Sequence, residues 1–414
     1  MHDEIEKHDP DAMCHAKVFN HRAFTGSIGL WGNPISAPPA RHDGIDREAL
    51  MELLEINGCD TRILAQTPYN VHHPWQDMDD YAIQWFEQSI AFDFMRSLQP
   101  DKLIYDSEWH SIQTLANRDA DMPDERIQAA LWLAHLHGMG ANVMWYWARK
   151  WNSSPSPSWE SSFYGSLSTL PGTLNSYVRT MLEINRAGGD VKNLASQQRP
   201  VRILYSNASA IQSSEFCDAL VLIYESLYFQ DLPIGFVTEK MLQEGWDNQD
   251  LGFIIVPNAG YVDDQTVSAL RNYILSGGRA AFAGEKCFKY NKRGFVRSES
   301  SLSFIQNCPQ FDLKPAKELM PEIQQALANA DIQPLVECED WLKRGGWGVL
   351  CRSYQNDSDS YTAALVNTGA EKTVVSLNQA GGFSSAENIL TGRSVNPELI
   401  YLAPLEQLLI RLHK

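Results

Sequence analysis

The sequence predicts an α/β protein that ends in a smaller β-rich region. Up to about residue 313, short apolar runs alternate with stretches whose apolar residues recur at helical spacing, which is the pattern of parallel sheets covered by helices. After about residue 315, strand-like segments follow one another with turn residues between them, which indicates antiparallel pairing. At roughly 100–200 residues per domain, the 414 residues suggest two to four domains.

Composition excludes several classes of function. The formal net charge of -17 argues against nucleic-acid binding, which needs a basic surface, and is compatible with a neutral ligand such as a sugar. The 12 tryptophans could serve as platforms for sugar rings or could fill large cores. No apolar stretch reaches the roughly 18 residues that a membrane span requires, so we expect no membrane partner.

The cysteines and glycines give no sign of a metal or a cofactor. The 7 cysteines are irregularly spaced and form no CxxC pair, so we expect reduced thiols in a cytoplasmic protein rather than disulfides or a zinc site. The Gly-rich turn SGGR, residues 276–279, does not match GxGxxG, so dinucleotide binding is not supported. We therefore expect no cofactor.

The first 198 residues contain four strand–helix units. The predicted strands are residues 13–19, 61–65, 102–105 and 142–147. The predicted helices are residues 46–57, 81–98, 123–139 and 176–187. Four such units are half of an eight-fold (β/α) barrel, so we predict a partial TIM-type barrel comprising strands 5–8, because complete barrels usually need about 250 residues.

Two further domains are predicted after residue 198. In residues 199–314, strands at 201–205, 253–257 and 279–283 alternate with helices at 214–229 and 263–276, which indicates a small doubly wound, flavodoxin-like domain. In residues 315–414, a helix at 319–330 precedes strands at 346–354, 361–367, 373–377 and 408–412, which fits a β-sandwich.

The candidate catalytic residue is Glu108, in the segment KLIYDSEWHSIQ at residues 102–113. An apolar strand here ends in a carboxylate, with Trp109 and His110 beside it. Residues at the carboxyl ends of barrel strands point into the active site. A glycosidase needs a carboxylate beneath the anomeric carbon, an aromatic ring for the sugar and polar groups for its hydroxyls. An ordinary Glu that caps the following loop would give the same local pattern.

This segment resembles the seventh-strand nucleophile motif of family 42-like glycoside hydrolases, the clan-A β-galactosidase type. NVMWYWAR, residues 142–149, resembles the family's eighth strand. VRILYSNASAI, GFIIVPNAGYV and SGGRAAFAGE resemble its flavodoxin-like trimerisation domain, and the terminal sandwich matches in position. The resemblance implies a retaining β-galactosidase-type hydrolase with Glu108 as nucleophile, a carbohydrate substrate and a homo-oligomer, namely a trimer.

The family's general acid/base is a Glu that follows an Asn at the end of the fourth strand. If residues 102–105 are the seventh strand, that position would precede Met1, and the first hundred residues contain no Asn-Glu at a strand end. Residues 1–7 also resemble the last turns of a helix. We therefore expect a truncated enzyme that lacks its general acid/base, since retaining hydrolysis uses two carboxylates.

Further side chains are candidates for substrate binding because they lie in or beside predicted strands. Asp60 flanks the second predicted strand with Arg62, where a surface ion pair is an equally good interpretation. Trp145 and Trp147 alternate and could face the same side of their strand, either for packing or for sugar stacking. The remaining candidates are Asn20, Tyr69 and Arg149, and the His72-His73 pair lacks a third ligand at metal-binding spacing.

Two other functions stay open at this point. The chain could be a non-catalytic oligomerisation or carbohydrate-binding protein, in which only the later domains function. The same scaffold could also act on another substrate, with agarase-like or glucosidase-like activity, because a fold does not fix a substrate.

Overall fold

A computed structural model of the chain describes residues 2–18, 24, 44–61, 80–109, 122–144, 170–245, 252–340 and 347–414. It is a mixed α/β structure whose described residues form three parallel sheets, of three, five and two strands, which confirms the predicted class at that level. None of its described helices has both the length and the apolar character that a membrane span would need.

The first part of the chain builds a three-stranded parallel sheet with helices around it. Its elements in chain order are α1 (His2–Glu6), α2 (Arg47–Leu53), β1 (Asn57–Cys59), α3 (Phe86–Leu98), β2 (Ile104–Trp109), α4 (Asp124–Leu136), β3 (Met139–Met144), α5 (Pro171–Arg186) and α6 (Gly188–Ala195). The strand order is β1-β2-β3, and both pairs run parallel. Residues 12–18 form no strand but lie beside β1, where the Ile56 amide donates to the Cys14 carbonyl oxygen at 3.3 Å.

The strand boundaries in this part differ from those predicted. The first predicted strand, residues 13–19, is coil over its described residues. The strand predicted at 61–65 is instead β1, which ends at Cys59, and residues 62–65 lie outside the described residues. β2 runs through Trp109, so Glu108 lies within the strand rather than after it. The strands were predicted from runs of apolar residues. This approach failed here because β1 and β2 contain buried polar residues such as Asn57 and Asp106.

The second part of the chain has a five-stranded parallel sheet. It comprises β4 (Val201–Tyr205), α7 (Asn207–Gln212), α8 (Ser214–Tyr228), β5 (Ile234–Thr238), α9 (Glu239–Gln243), β6 (Phe253–Pro257), β7 (Tyr261–Val262), α10 (Asp264–Leu275), β8 (Arg279–Ala283), β9 (Tyr290–Asn291), a 3-10 helix (Glu299–Asn307) and β10 (Gln310–Phe311). The sheet order is β10-β8-β6-β4-β5, which is the doubly wound order 2-1-3-4-5 within this sheet. The apolar segments VRILY and FIIVP are buried over their whole length, as expected of strands covered on both faces.

The last part of the chain is mostly antiparallel. Its elements are α11 (Ala316–Ala328), β11 (Glu337–Asp340), β12 (Val349–Gln355), β13 (Ser360–Asn367), β14 (Thr373–Asn378), β15 (Ser385–Asn388), β16 (Arg393–Val395), β17 (Ile400–Leu402) and β18 (Gln407–His413). The strands form two sheets, β11-β14-β17 and β12-β13-β18-β15-β16. Apolar residues of both sheets share one core, which includes Val375, Leu365 and Leu412.

Buried polar contacts link the first part of the chain to the second. On α3, Asp93 accepts a hydrogen bond from the Tyr224 hydroxyl at 2.7 Å. Trp85 stacks on Tyr228 with ring centroids 3.7 Å apart. The Tyr81 hydroxyl donates to Glu225 at 2.8 Å. An unpaired polar group is costly inside a protein. These contacts therefore fix how α8 lies against α3 and the residues that precede it.

Glu225 should make the stability of the fold depend on pH. Burial raises the pKa of Glu225 to about 8, against an ordinary value of 4.5, although the Tyr81 hydrogen bond opposes the shift. Between these two values the folded chain holds a proton that the unfolded chain has released, so the free energy of unfolding should fall as pH rises. Glu225→Gln should flatten this slope in urea denaturation measured from about pH 5 to pH 8.

The matched control is Glu398→Gln, which changes an exposed carboxylate and should keep the wild-type slope. Equal slopes in wild type and Glu225→Gln would contradict the assignment of the proton to Glu225.

Candidate active site

The candidate site lies where β1 and β2 end. The two strands pair in parallel with Cys59 opposite Asp106, so Asp60 and Glu108 emerge at the same edge of the sheet. The coil of residues 12–18 lies against β1 on its other side, and a Cβ atom at Gly58 would stand 2.3 Å from the Ala16 carbonyl oxygen. Glycine at position 58 therefore allows the close approach that brings Lys17 to this edge.

Lys17 forms ion pairs with two carboxylates. Its Nζ lies 3.0 Å from Asp60 Oδ2 and also pairs with Glu108 Oε2. The side chain of Asp60 is 8% exposed and that of Glu108 is 17% exposed, whereas Lys17 is 34% exposed. Since the carboxylates are mostly removed from water, the ammonium stabilises their charges more than it would on an open surface.

A third carboxyl group, Asp106, supports the site from inside the sheet. It is completely buried, and its Oδ2 accepts hydrogen bonds from the Thr61 amide at 3.0 Å and the Thr61 hydroxyl at 2.5 Å. Its Oδ1 lies 3.3 Å from the Glu108 amide, which donates to it. Burial raises the pKa of Asp106 to about 8, so this group is mostly protonated at neutral pH. Asp106 thereby joins the end of β1 to the backbone of Glu108.

The structure gives Trp109 a packing role. The ring has no exposed surface, and its indole N–H donates to Gln88 Oε1 on α3 at 2.7 Å. Tyr177 of α5 lies beside it, with ring centroids 6.4 Å apart. This placement leaves no face of the ring open to a sugar, and it explains why a large aromatic residue follows Glu108.

The described residues bring together Glu108 and Asp60 from the predicted set, and they add Lys17 and Asp106. The remaining predicted site residues lie outside the described residues: Asn20, Tyr69, His110, Trp145, Trp147 and Arg149. Asp106 lies two positions before Glu108 in the same strand, and this proximity was the signal available for it. Lys17 carried no such signal, because its partners are distant in the sequence.

Among the described residues, two side-chain groups have the composition and spacing to hold a metal ion, and both contain His2. Neither includes Glu108 or Asp60. At the edge of the sheet, the described residues therefore supply carboxylates and the Lys17 ammonium.

Replacing Thr61 tests the support that Asp106 receives. Thr61→Val removes the hydroxyl and leaves Asp106 Oδ2 with the backbone amide, which should lower the free energy of unfolding by about 1–2 kcal/mol. Thr61→Ser keeps the hydroxyl and serves as the control. Urea denaturation of both variants checks this, and a Val variant as stable as the Ser variant would show that the hydroxyl contributes nothing.

Comparison with solved structures shows what this chain is similar to. An apo exo-carrageenase GH42 from Bacteroides ovatus matches with 27% sequence identity and a TM-score of 0.81, over 99% of this chain and 53% of that one. A β-galactosidase from Bacillus circulans sp. alkalophilus matches with 11% identity and a TM-score of 0.67, over 99% of this chain and 65% of that one. A β-galactosidase from Halorubrum lacusprofundi matches with 11% identity and a TM-score of 0.64, over 100% and 65%.

These matches confirm the resemblance to family 42 glycoside hydrolases and show a glycoside hydrolase scaffold. The chain spans about half to two thirds of the length of these structures. No family model matches the sequence, and no curated protein matches it.

Proposed function

We propose that this chain, which has a family 42-like glycoside hydrolase scaffold, carries the nucleophile of a retaining glycosidase, and that Glu108 is that nucleophile. The observation that supports it most is the meeting of Glu108, Asp60 and Lys17 at the carboxyl edge of a parallel sheet. In barrel enzymes this edge carries the catalytic groups. The three-stranded sheet with its flanking coil is, on this proposal, the second half of a (β/α) barrel.

Each residue at this edge then has a role. The Glu108 carboxylate attacks the anomeric carbon, the bond from that carbon to the leaving oxygen breaks, and a glycosyl ester forms on Glu108. The Lys17 ammonium pairs with Glu108 and holds its carboxylate in place. Asp60, which follows the neighbouring strand β1, accepts hydrogen bonds from sugar hydroxyls. Asp106 orients the backbone at Glu108 and does not contact substrate.

The substrate class we propose is a galactose unit in a β-linkage. The two β-galactosidases share the fold at 11% identity, whereas the exo-carrageenase shares 27% identity over nearly the whole chain. Carrageenans are galactans, so both kinds of neighbour favour galactose over glucose at the reacting position. The higher identity makes a galactan oligosaccharide the first natural substrate to test. Activity on the corresponding glucoside would instead support the glucosidase-like alternative.

We further propose three domains, at residues 1–198, 199–314 and 315–414, with residues 199–314 as the unit of assembly. The doubly wound sheet order of β4, β5, β6, β8 and β10 supports the second domain. A trimer follows from the resemblance alone. Light scattering on the purified chain would measure its mass, and a monomer would remove the assembly role.

Covalent labelling tests the nucleophile without requiring a proton donor. A 2-deoxy-2-fluorogalactoside with a dinitrophenolate leaving group needs no general acid, because dinitrophenolate departs with the bonding electron pair unaided. The intact protein should gain the mass of one fluorosugar, and peptide mass spectrometry should locate it on Glu108. Glu108→Gln should not be labelled. Labelling that persists in this variant, or that maps to another carboxylate, would overturn the assignment.

Circular dichroism establishes that the Glu108→Gln variant is folded. If the wild-type chain is folded and binds galactan oligosaccharides but takes no label, the non-catalytic carbohydrate-binding function is the better description.

Lys17 is a positioning residue, and its charge should set the labelling rate. Lys17→Met removes the ammonium that pairs with both carboxylates, so labelling should slow by about tenfold or more. Lys17→Arg keeps the positive charge and should restore most of the rate. Mass spectrometry of samples quenched at successive times measures both labelling rates. Equal rates for the Met and Arg variants would exclude a role for the charge.

A further inference from the structure

Three side chains with metal-binding atoms converge near the start of the chain. They are His2 on α1, Cys14 in the coil beside β1, and Glu55 between α2 and β1, and their ligand atoms all lie within 4.8 Å of one another. All three are partly buried. Glu55 is separated from His2 by 53 positions and from Cys14 by 41, so no spacing rule in the sequence could reveal the group.

The Glu55 carboxylate is already held between the other two residues. Its Oε1 lies 2.7 Å from His2 Nε2, and its Oε2 accepts a hydrogen bond from the Cys14 amide at 2.8 Å. Zinc bonds of about 2.0–2.3 Å in a tetrahedron place ligand atoms roughly 3.3–3.8 Å apart. The His2 and Glu55 atoms therefore need to separate by less than about 1 Å to admit the ion, which side-chain rotation alone supplies.

A second feature of the group points to a metal ligand. The other ring nitrogen of His2, Nδ1, lies 3.6 Å from Asp3 Oδ1 and 3.9 Å from Glu6 Oε2. Histidines that bind metals commonly direct their second nitrogen to a carboxylate, which fixes the ring and increases its basicity as a ligand. The side chain of His2 is only 13% exposed, although it is the second residue of the sequence.

We propose that His2, Cys14 and Glu55 form a zinc site whose fourth position is open to water. Imidazole nitrogen, thiolate sulfur and carboxylate oxygen are all zinc ligands, and the set suits this borderline-soft ion better than calcium or magnesium. Binding converts the Cys14 thiol to a thiolate and releases its proton to solvent. His2 gives up the Nε2 proton that faces Glu55 and binds as neutral imidazole, with its remaining proton on Nδ1. One thiolate and one carboxylate then balance the two positive charges of the ion.

The site would fasten the segment that carries Lys17. Cys14 lies three residues before Lys17, and its carbonyl oxygen accepts a hydrogen bond from the amide of Ile56, the residue before β1. A metal bound by Cys14 and Glu55 would lock the coil of residues 12–18 against the strand that ends beside Asp60. The proposal does not depend on the assignment of Glu108, because its ligands are separate from that residue.

Cobalt binding tests the site directly. The full chain, purified without a metal-binding tag and treated with chelator, is titrated with Co²⁺, whose thiolate complex has a near-ultraviolet charge-transfer band and visible bands of tetrahedral geometry. We expect one equivalent of Co²⁺ to bind and an equivalent of Zn²⁺ to displace it. Zinc should also raise the melting temperature of the chain.

Two variants and one control decide the assignment. Cys14→Ser should abolish the charge-transfer band, and Glu55→Gln should weaken Zn²⁺ binding by at least about tenfold. The matched control is Cys308→Ser, because Cys308 is the other partly buried cysteine, and it should behave as wild type. The proposal is overturned if wild type shows no band, if the band survives in Cys14→Ser, or if it is lost in Cys308→Ser.

Discussion

The Lys17 ammonium is shared between Asp60 and Glu108, and this pairing joins the coil of residues 12–18 to the ends of both β1 and β2. Two carboxylates with little exposure to water repel each other unless a cation or a proton compensates them. The compensating cation comes from a coil that forms no strand, so it must be brought in by packing. Gly58 permits that packing, and the backbone contact between Cys14 and Ile56 fixes its register.

The third carboxyl group of the site, that of Asp106, is stabilised differently. Asp106 is buried deeper than Glu108 and is paired with neutral donors from Thr61, so burial raises its pKa and it keeps its proton near neutral pH. A protonated carboxyl can bridge two strands without adding charge. A cation therefore pairs with the carboxylate of Glu108, which lies nearer the surface, whereas a proton neutralises the buried carboxyl group of Asp106.

How much of the fold could be predicted depended on the local sequence. β4, β6 and β8 match their predicted boundaries, because each is a short, mainly apolar run, and such runs are typical of strands that are covered on both faces of a sheet. β1, with the sequence NGC, could not be recognised, since its asparagine and glycine are typical of turns. Its strand conformation comes from pairing with β2, which the sequence does not display.

The residues of the candidate site, like the strands, could be predicted only in part. Glu108 could be predicted because it stands near the end of a strand and the resemblance to a family singled it out. Asp60 was chosen because it flanks a strand predicted at residues 61–65, whereas in the structure it follows β1. Lys17 and the His2–Cys14–Glu55 group could not, because their partners lie on other elements and meet only in the folded chain. Trp109 was expected to face the sugar, but the local pattern of a strand does not distinguish an aromatic residue that lines a site from one that fills the core behind it.

The charged groups that the described residues bring to the edge of the sheet suit the proposed chemistry. Asp60 and Glu108 contribute carboxylates, Lys17 contributes an ammonium, and Asp106 in its protonated form contributes no charge. The transition state of glycoside cleavage resembles an oxocarbenium ion, with positive charge developing on the sugar. Carboxylates fixed in a site with limited water stabilise that cation more than they stabilise the neutral substrate.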